Sequence, residues 1–376
     1  MKYWWLLLAS CVLVSAQPMD RGLEVALKAH QAGNYEQAAA GYRTFLNANP
    51  NAFEIRSNLG AVLVRLAKYT EAIEEYKLAL KKAPANAGIG FNLALAYYKS
   101  GAIPEAAREL STVRAISPDP LPVNLLLADC WLQMGEFAKV SDLLSPMELA
   151  RPDDLGLAYL LGTALVRQGK VEDGQKQLNK IFAGGDSGEV RLLLGTAKLN
   201  AADVPGAMEE LKKAVELNPN LASAHAYLGQ ALLMSGDSDG AAKAFQRELA
   251  LAPYDFTANL NMAALLRQDQ DYEKAKLHLE RALRVRPGDT GVRYQQGSIA
   301  LAENKVDQAR QMLEAVVADA PEFVEAHVSL ATVYYRLKRK ADGDRERALV
   351  EKLNVEIQAR QPKGDPIPAK GGVPQP

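Results

Sequence analysis

The chain has 376 residues, with 44 Lys and Arg against 45 Asp and Glu and a net charge of −1. Such an even balance excludes retention on nucleic acid or anionic lipid by bulk charge. Apolar residues at 48% and charged residues at 24% exclude a disordered chain, and two cysteines exclude a disulfide framework.

Met1-Lys2 precedes an unbroken apolar run from Tyr3 to Val14 and the small-residue site Val14-Ser15-Ala16. One positive charge, a short apolar core and a small-residue site predict a secretory signal over 1–16, cleaved after Ala16. The run is short for a membrane-spanning helix, which needs about 20 residues. A second reading rests on Leu8-Ala9-Ser10-Cys11, which resembles a bacterial lipobox and would place a lipid on Cys11. Apolar Val12-Leu13-Val14 follows it, where polar residues usually follow a lipidated Cys. Membrane contact is expected only with lipidation at Cys11 or an uncleaved signal. The expected location is the periplasm or cell envelope, or the medium.

A 34-residue lattice follows. Pro50, Pro84, Pro118 and Pro152 are spaced by 34, as are Pro219, Pro253, Pro287 and Pro321. The 67-residue gap between the two sets is two repeats less one residue. Small residues recur 24 positions before the proline, among them Ala26, Gly60, Ala94, Gly195, Gly229 and Gly297. A second small position holds Ala38, Ala72, Ala106, Ala207 and Ala241, with Tyr42, Tyr76, Leu110, Leu211 and Phe245 four places later. Turns such as Gly33-Asn34-Tyr35 separate the two small positions. Apolar spacings of three and four on each side of the turn predict two helices per block. A small residue lets the two backbones approach, a bulky one fills the space beside it, and the proline ends the second helix. One such hairpin buries too little alone, so neighbours must stack.

These blocks resemble tetratricopeptide repeats. Leu59-Gly60…Tyr69…Ala72…Tyr76…Ala79…Pro84 and Leu228-Gly229…Ala241…Phe245…Pro253 carry the family pattern. The resemblance covers roughly residues 19–357, with repeats starting near 19, 53, 87, 121, 155, 188, 222, 256, 290 and 324. It implies an all-α, right-handed superhelical solenoid of about ten stacked hairpins.

Departures mark soft places. The fifth repeat has Gly174 where Ala is expected and ends Ala183-Gly184-Gly185-Asp186-Ser187-Gly188 without its proline. Glycine weakens a helix interior by about 1 kcal/mol, so a bend near 183–188 is expected to part repeats 1–5 (19–187) from repeats 6–10 (188–357). Pro146 falls inside a second helix and should kink it or end it early. The second helix of the tenth repeat, about 341–359, is polar and reads as a cap. The Pro- and Gly-rich segment 361–376 reads as a disordered tail.

No catalytic constellation stands out. His30, His225, His278 and His327 are scattered, without metal-ligand spacing to Cys or to one another. Cys130, beside Trp131, reads as a small buried hydrophobe. No phosphate loop or Gly-x-Ser-x-Gly elbow is present. The basic run Arg336 to Lys340 is offset at once by Asp342, Asp344 and Glu346. The expected protein is not an enzyme and needs no cofactor or metal. It takes protein or extended peptide and no nucleic acid.

The resemblance places a concave wall on the first helices of the repeats. Groove positions then hold Asn58, Phe91, Asn92, Leu95, Tyr98, Asp129, Tyr159, Tyr227, Gln230, Asn261, Tyr294, Gln295 and Tyr335. Aromatic rings give contact area at low entropy cost and amides can bond an extended backbone; the rings can equally pack between adjacent helices. Asn58, Asn92 and Asn261 stand where some members carry an asparagine ladder. The Lys–Asn–Arg set with which chaperone-binding members clamp a C-terminal carboxylate is missing from every consecutive trio. The function implied is a protein- or peptide-binding scaffold of the cell envelope. The alternative is a structural subunit of an envelope enzyme or of a secretion or assembly machine, docking by its convex face.

Overall fold

The computed structural model describes residues 21–117, 120–182 and 185–360. The signal segment with Cys11, the tail from 361 and Pro118 lie outside the described residues, as do Ala183 and Gly184 at the expected bend.

The described residues form twenty α-helices and no strand, in ten consecutive pairs. They are α1 (Arg21–Gln31) and α2 (Tyr35–Ala48), α3 (Phe53–Arg65) and α4 (Tyr69–Lys82), α5 (Ala87–Lys99) and α6 (Ile103–Arg114), and α7 (Leu121–Met134) and α8 (Phe137–Glu148). Next come α9 (Leu155–Arg167) and α10 (Val171–Phe182), α11 (Gly188–Asn200) and α12 (Val204–Leu217), and α13 (Ala224–Ser235) and α14 (Ser238–Leu251). Last are α15 (Phe256–Gln268) and α16 (Tyr272–Val285), α17 (Thr290–Ala302) and α18 (Val306–Asp319), and α19 (Val324–Arg336) and α20 (Lys340–Arg360). Eight first helices begin on the residue where the 34-residue lattice starts a repeat. The seventh begins two residues late, after Ser223 at φ +66°.

The chain divides into two compact units. One runs up to Leu265 and takes in Glu280–Pro287; the other comprises Leu266–Leu279 and the residues from Gly288 onward. In the first, each helix from α2 to α14 packs on its predecessor, and the first helices α3·α5, α7·α9, α9·α11 and α11·α13 also touch. In the second, α17 to α20 repeat the arrangement.

The lattice residues meet as their spacing requires. A Cβ on Gly60 would stand 2.8 Å from the Tyr76 ring, on Gly229 2.6 Å from Phe245, and on Gly195 2.5 Å from Leu211. In the second unit a Cβ on Gly297 would lie 3.0 Å from Leu313. Tyr76, Phe245, Leu211 and Leu313 are all buried. The glycines are therefore imposed by ring and aliphatic side chains pressed onto the first helix, sixteen residues away in sequence.

Every hairpin turns through one residue in the left-handed region. Gly33, Gly101, Gly135, Gly169 and Gly236 fill five of these places; Ala67, Ala202, Gln270, Asn304 and Lys338 fill the others at φ 57–61°. Glycine fits that backbone without strain, whereas a Cβ there costs about 1 kcal/mol or more. The sequence pattern shows only the glycine turns, because stacking holds the others in place.

Pro146 acts mainly as a terminator. Its ring nitrogen cannot bond the carbonyl four residues back, and α8 stops at Glu148 after 12 residues, against 14 in α4. At the expected bend, Ser187 caps α11 through Val190 N, and Arg191 grips both carboxylate oxygens of Asp186 at 2.7 and 2.8 Å. Helix α20 runs over 340–360, largely exposed, with Leu353 turned inward as a cap requires.

Candidate functional site

The thirteen candidate residues sit on first helices, as the repeat register demands. The structure sorts them by what their polar atoms meet.

Asn58 on α3 and Asn92 on α5, 34 residues apart, are half-buried, and their amides make no hydrogen bond among the described residues. Gln230 on α13 is alike. Phe91 and Leu95 on α5 are half-buried beside Asn92. An amide costs free energy when it is desolvated without a partner. Asn58 and Asn92 stand in the same register on successive first helices.

Other candidates are bonded within the protein. The Tyr98 hydroxyl donates to Asp129 Oδ2 at 2.6 Å across α5 and α7. Gln133 Nε2 donates to both, at 2.8 and 2.9 Å. Burial, then the neighbouring carboxylate, pushes the Tyr98 hydroxyl well above its usual range. Burial also raises Asp129, against the pull of its two hydrogen bonds. On α13 the Tyr227 hydroxyl accepts from Arg167 Nη2 at 2.7 Å. The Arg167 guanidinium lies 5.0 Å from the Tyr227 ring centre and 5.6 Å from that of Phe137. Tyr159 packs into the same apolar cluster as Tyr227, and burial raises its hydroxyl strongly. Asn261 donates to Thr257 O of its own helix at 2.8 Å.

In the second unit the Gln295 side-chain Oε1 accepts from Arg267 Nε at 2.9 Å. The Tyr294 ring leans on Phe323 with centres 5.0 Å apart. Tyr335 turns to its hairpin partner: its hydroxyl donates to Asp344 Oδ1 at 2.8 Å and its ring covers Gly343.

Residues outside the candidate set complete the first unit's interior. Arg286, just after α16, donates from Nε to the Gln133 carbonyl at 2.7 Å, across 153 residues of sequence. Its guanidinium lies 3.8 Å from the centre of the Phe256 ring. The Tyr254 ring presses on Gly101 so closely that a Cβ there would overlap it, and Arg286 stands 3.6 Å from where a Gly135 Cβ would be. The turns after α5 and α7 are thus clasped by residues from the links around α15 and α16. Gly33, Gly169 and Gly236, at equivalent turns, have no atom within 4 Å of a Cβ position. Gly101 is therefore fixed by approach as well as by φ, whereas a Cβ on Gly135 would meet Arg286 only in ordinary van der Waals contact. The sequence pattern does not single out Gln133, Arg167, Tyr254, Phe256 or Arg286, because the contacts of each depend on side-chain direction between helices and not on the lattice.

A buried acidic cluster adjoins this region. Glu248 on α14 accepts from Ser223 N at 2.8 Å and Ala226 N at 3.3 Å at the start of α13. Ser223 Oγ donates to Asp255 Oδ2 at 3.2 Å. Burial, then the Asp255 charge, pushes Glu248 up to about 8, and burial raises Asp255 as well.

The histidines have structural partners. His30 meets the Tyr42 hydroxyl at 3.0 Å; His327 meets Glu346 at 2.6 Å and the Pro321 carbonyl at 3.0 Å. Cys130 is fully buried, which raises its thiol well above the usual range. Among the described residues no group of three or more His, Cys, Asp or Glu is arranged to hold a metal ion. No described helix is long and apolar enough to cross a membrane.

Hairpins stacked through lattice positions, with polar and aromatic side chains along the first helices, define a helical-repeat scaffold of the kind that mediates protein–protein interaction. Models described as tetratricopeptide repeat match residues 26–87, 63–121, 101–159, 159–220, 192–256, 256–289 and 294–343. The chain belongs to the tetratricopeptide repeat family. Among solved structures it is similar to a chain of the crystal structure of the APC/C hetero-tetramer Cut9–Hcn1. That match has TM-score 0.53 and 13% identity, covering 89% of this chain and 80% of the other. It is also similar to human IFIT1, solved as a dimer with PPP-AAAA, at TM-score 0.46 and 15% identity over 88% of this chain and 89% of that one. The first likeness supports the fold alone. Among the curated proteins no sequence match is found.

Proposed function

We propose that this protein is a non-catalytic scaffold of the cell envelope that binds a protein or extended peptide along its first helices. The observation that carries the reading is the pair Asn58 and Asn92, in register on α3 and α5 and without internal partners. An extended backbone repeats its N–H and C=O groups regularly, so amides repeated by the fold can bond it at several points. Phe91 and Leu95 supply apolar contact beside the row. The envelope location rests on the signal-like segment 1–16. Repeat scaffolds work by multipoint contact over a long surface, which needs no reacting group.

Where the first unit clasps itself, Tyr98, Asp129 and Tyr227 are engaged internally. The reading therefore centres on α3 and α5. The test is affinity capture from an envelope fraction with wild-type protein and with Asn58→Ala/Asn92→Ala, each checked by thermal melting. Loss of the captured protein at an unchanged melting temperature supports the reading. Undiminished recovery overturns it and favours docking through the second helices.

A further inference from the structure

A second binding site lies away from the first-helix row. A cavity of about 480 Å³ opens between the end of α6, the helix α7 and the helix α8. Both α6 and α8 have 12 residues where α4 has 14, and Pro146 accounts for the early end of α8.

At its floor is Asn124, only 4% exposed. The amide Nδ2 donates to the Met147 sulfur at 3.3 Å, a weak acceptor, and Oδ1 has no partner among the described residues. Turning the amide over would leave both of its atoms without a partner, since a thioether sulfur cannot donate. A buried polar group left in this state costs about 1–3 kcal/mol, which an occupant recovers by supplying the bond. A peptide group carries both a donor and an acceptor and satisfies either orientation.

The walls are Trp131 and Pro146, which suit an aliphatic or proline side chain. The cleft is open to solvent rather than enclosed. Small-molecule sites typically bury roughly 70–90% of the ligand, so an open cleft suits one side chain of a longer chain. Leu143 and the Met147 side chain add further apolar lining. At the rim, Lys139 shares its charge with Glu136 at 3.3 Å, and Asp142 adds a carboxylate. Arg114 has no ion pair among the described residues.

We propose that this cleft binds an extended segment of a partner protein, seating an aliphatic or proline side chain on Trp131 and Pro146. A backbone amide of the segment bonds Asn124, and an adjacent acidic residue pairs with Arg114. The site is independent of the Asn58–Asn92 row, so each can fail without the other.

The probe is an arrayed library of capped hexapeptides screened against the full chain, with hits measured by fluorescence anisotropy. The expected selection is Leu, Ile or Pro next to Asp or Glu. Affinity should fall at least about tenfold in Asn124→Leu and in Arg114→Glu, the latter changing an exposed rim residue that packing does not need. It should not change in Asn58→Ala/Asn92→Ala. No sequence selection, equal binding to Arg114→Glu, or loss only in the Asn58/Asn92 variant would each overturn the proposal.

Discussion

Removing the Arg286 side chain should open the first unit locally. The residue bonds the Gln133 carbonyl at 2.7 Å and covers the Phe256 ring at 3.8 Å. It also draws down the raised carboxyl of Asp255. A hydrogen bond from a charged donor is worth about 1.5–3 kcal/mol, and a partly desolvated cation on an aromatic face about 1–2 kcal/mol. The two overlap on one side chain, so Arg286→Ala should cost about 2–4 kcal/mol. Arg286→Lys should lie between wild type and Ala, since it keeps charge without the planar fork. Arg281→Ala, an exposed position in the last turns of α16, should stay within about 0.5 kcal/mol of wild type. A repeat array need not unfold in one step, so the assay is native-state hydrogen exchange at 129–137, with guanidinium unfolding as a second reading. Faster exchange at 129–137 in Arg286→Ala but not Arg281→Ala is expected. Equal exchange in the two variants would refute the clasp.

Gly60→Ala and Gly229→Ala put a methyl 2.8 and 2.6 Å from Tyr76 and Phe245, and each should lose about 1–3 kcal/mol in guanidinium unfolding. A Gly33→Ala control, with space for its Cβ but φ +80°, should lose only about 1 kcal/mol; equal losses at all three would deny the ring contact. Glu248 binds its proton more tightly folded, at about 8 against 4.5 unfolded. The folded state therefore holds the extra proton between those values, and the contribution is complete below 4.5 and lost as pH rises to about 8. Unfolding at pH 5 and 8.5 should show a drop in stability that Glu248→Gln reduces; an equal drop in both proteins would clear Glu248. Amides at 185–188 should exchange faster than the links after α4 and α14, and equal protection would remove the boundary expected there.

The fold was legible because stacking imposes one period on small, bulky and proline residues alike. Gly60 and Tyr76 announce their contact by recurring as Gly229 and Phe245. The hairpin turns were half legible, since Gly33 and Gly101 signal a left-handed residue while Ala67 and Lys338 do not. The site was legible only in its register. Sequence places Tyr98 and Asp129 on first helices, but the bond between them, and the Gln133 that closes it, depend on side-chain direction between helices. The contact between Arg286 and Gln133 was not legible at all, because it joins distant repeats and breaks the periodicity that makes the rest readable. Asn124 was hidden for a related reason: whether its amide finds a partner depends on how side chains of α7 and α8 pack together.

The most direct test of the scaffold reading is a hydrogen-exchange footprint of the captured partner on the intact protein. New protection is expected on α3 and α5, around Asn58 and Asn92, with little change along α4. Protection confined to α4 and the other second helices would contradict it.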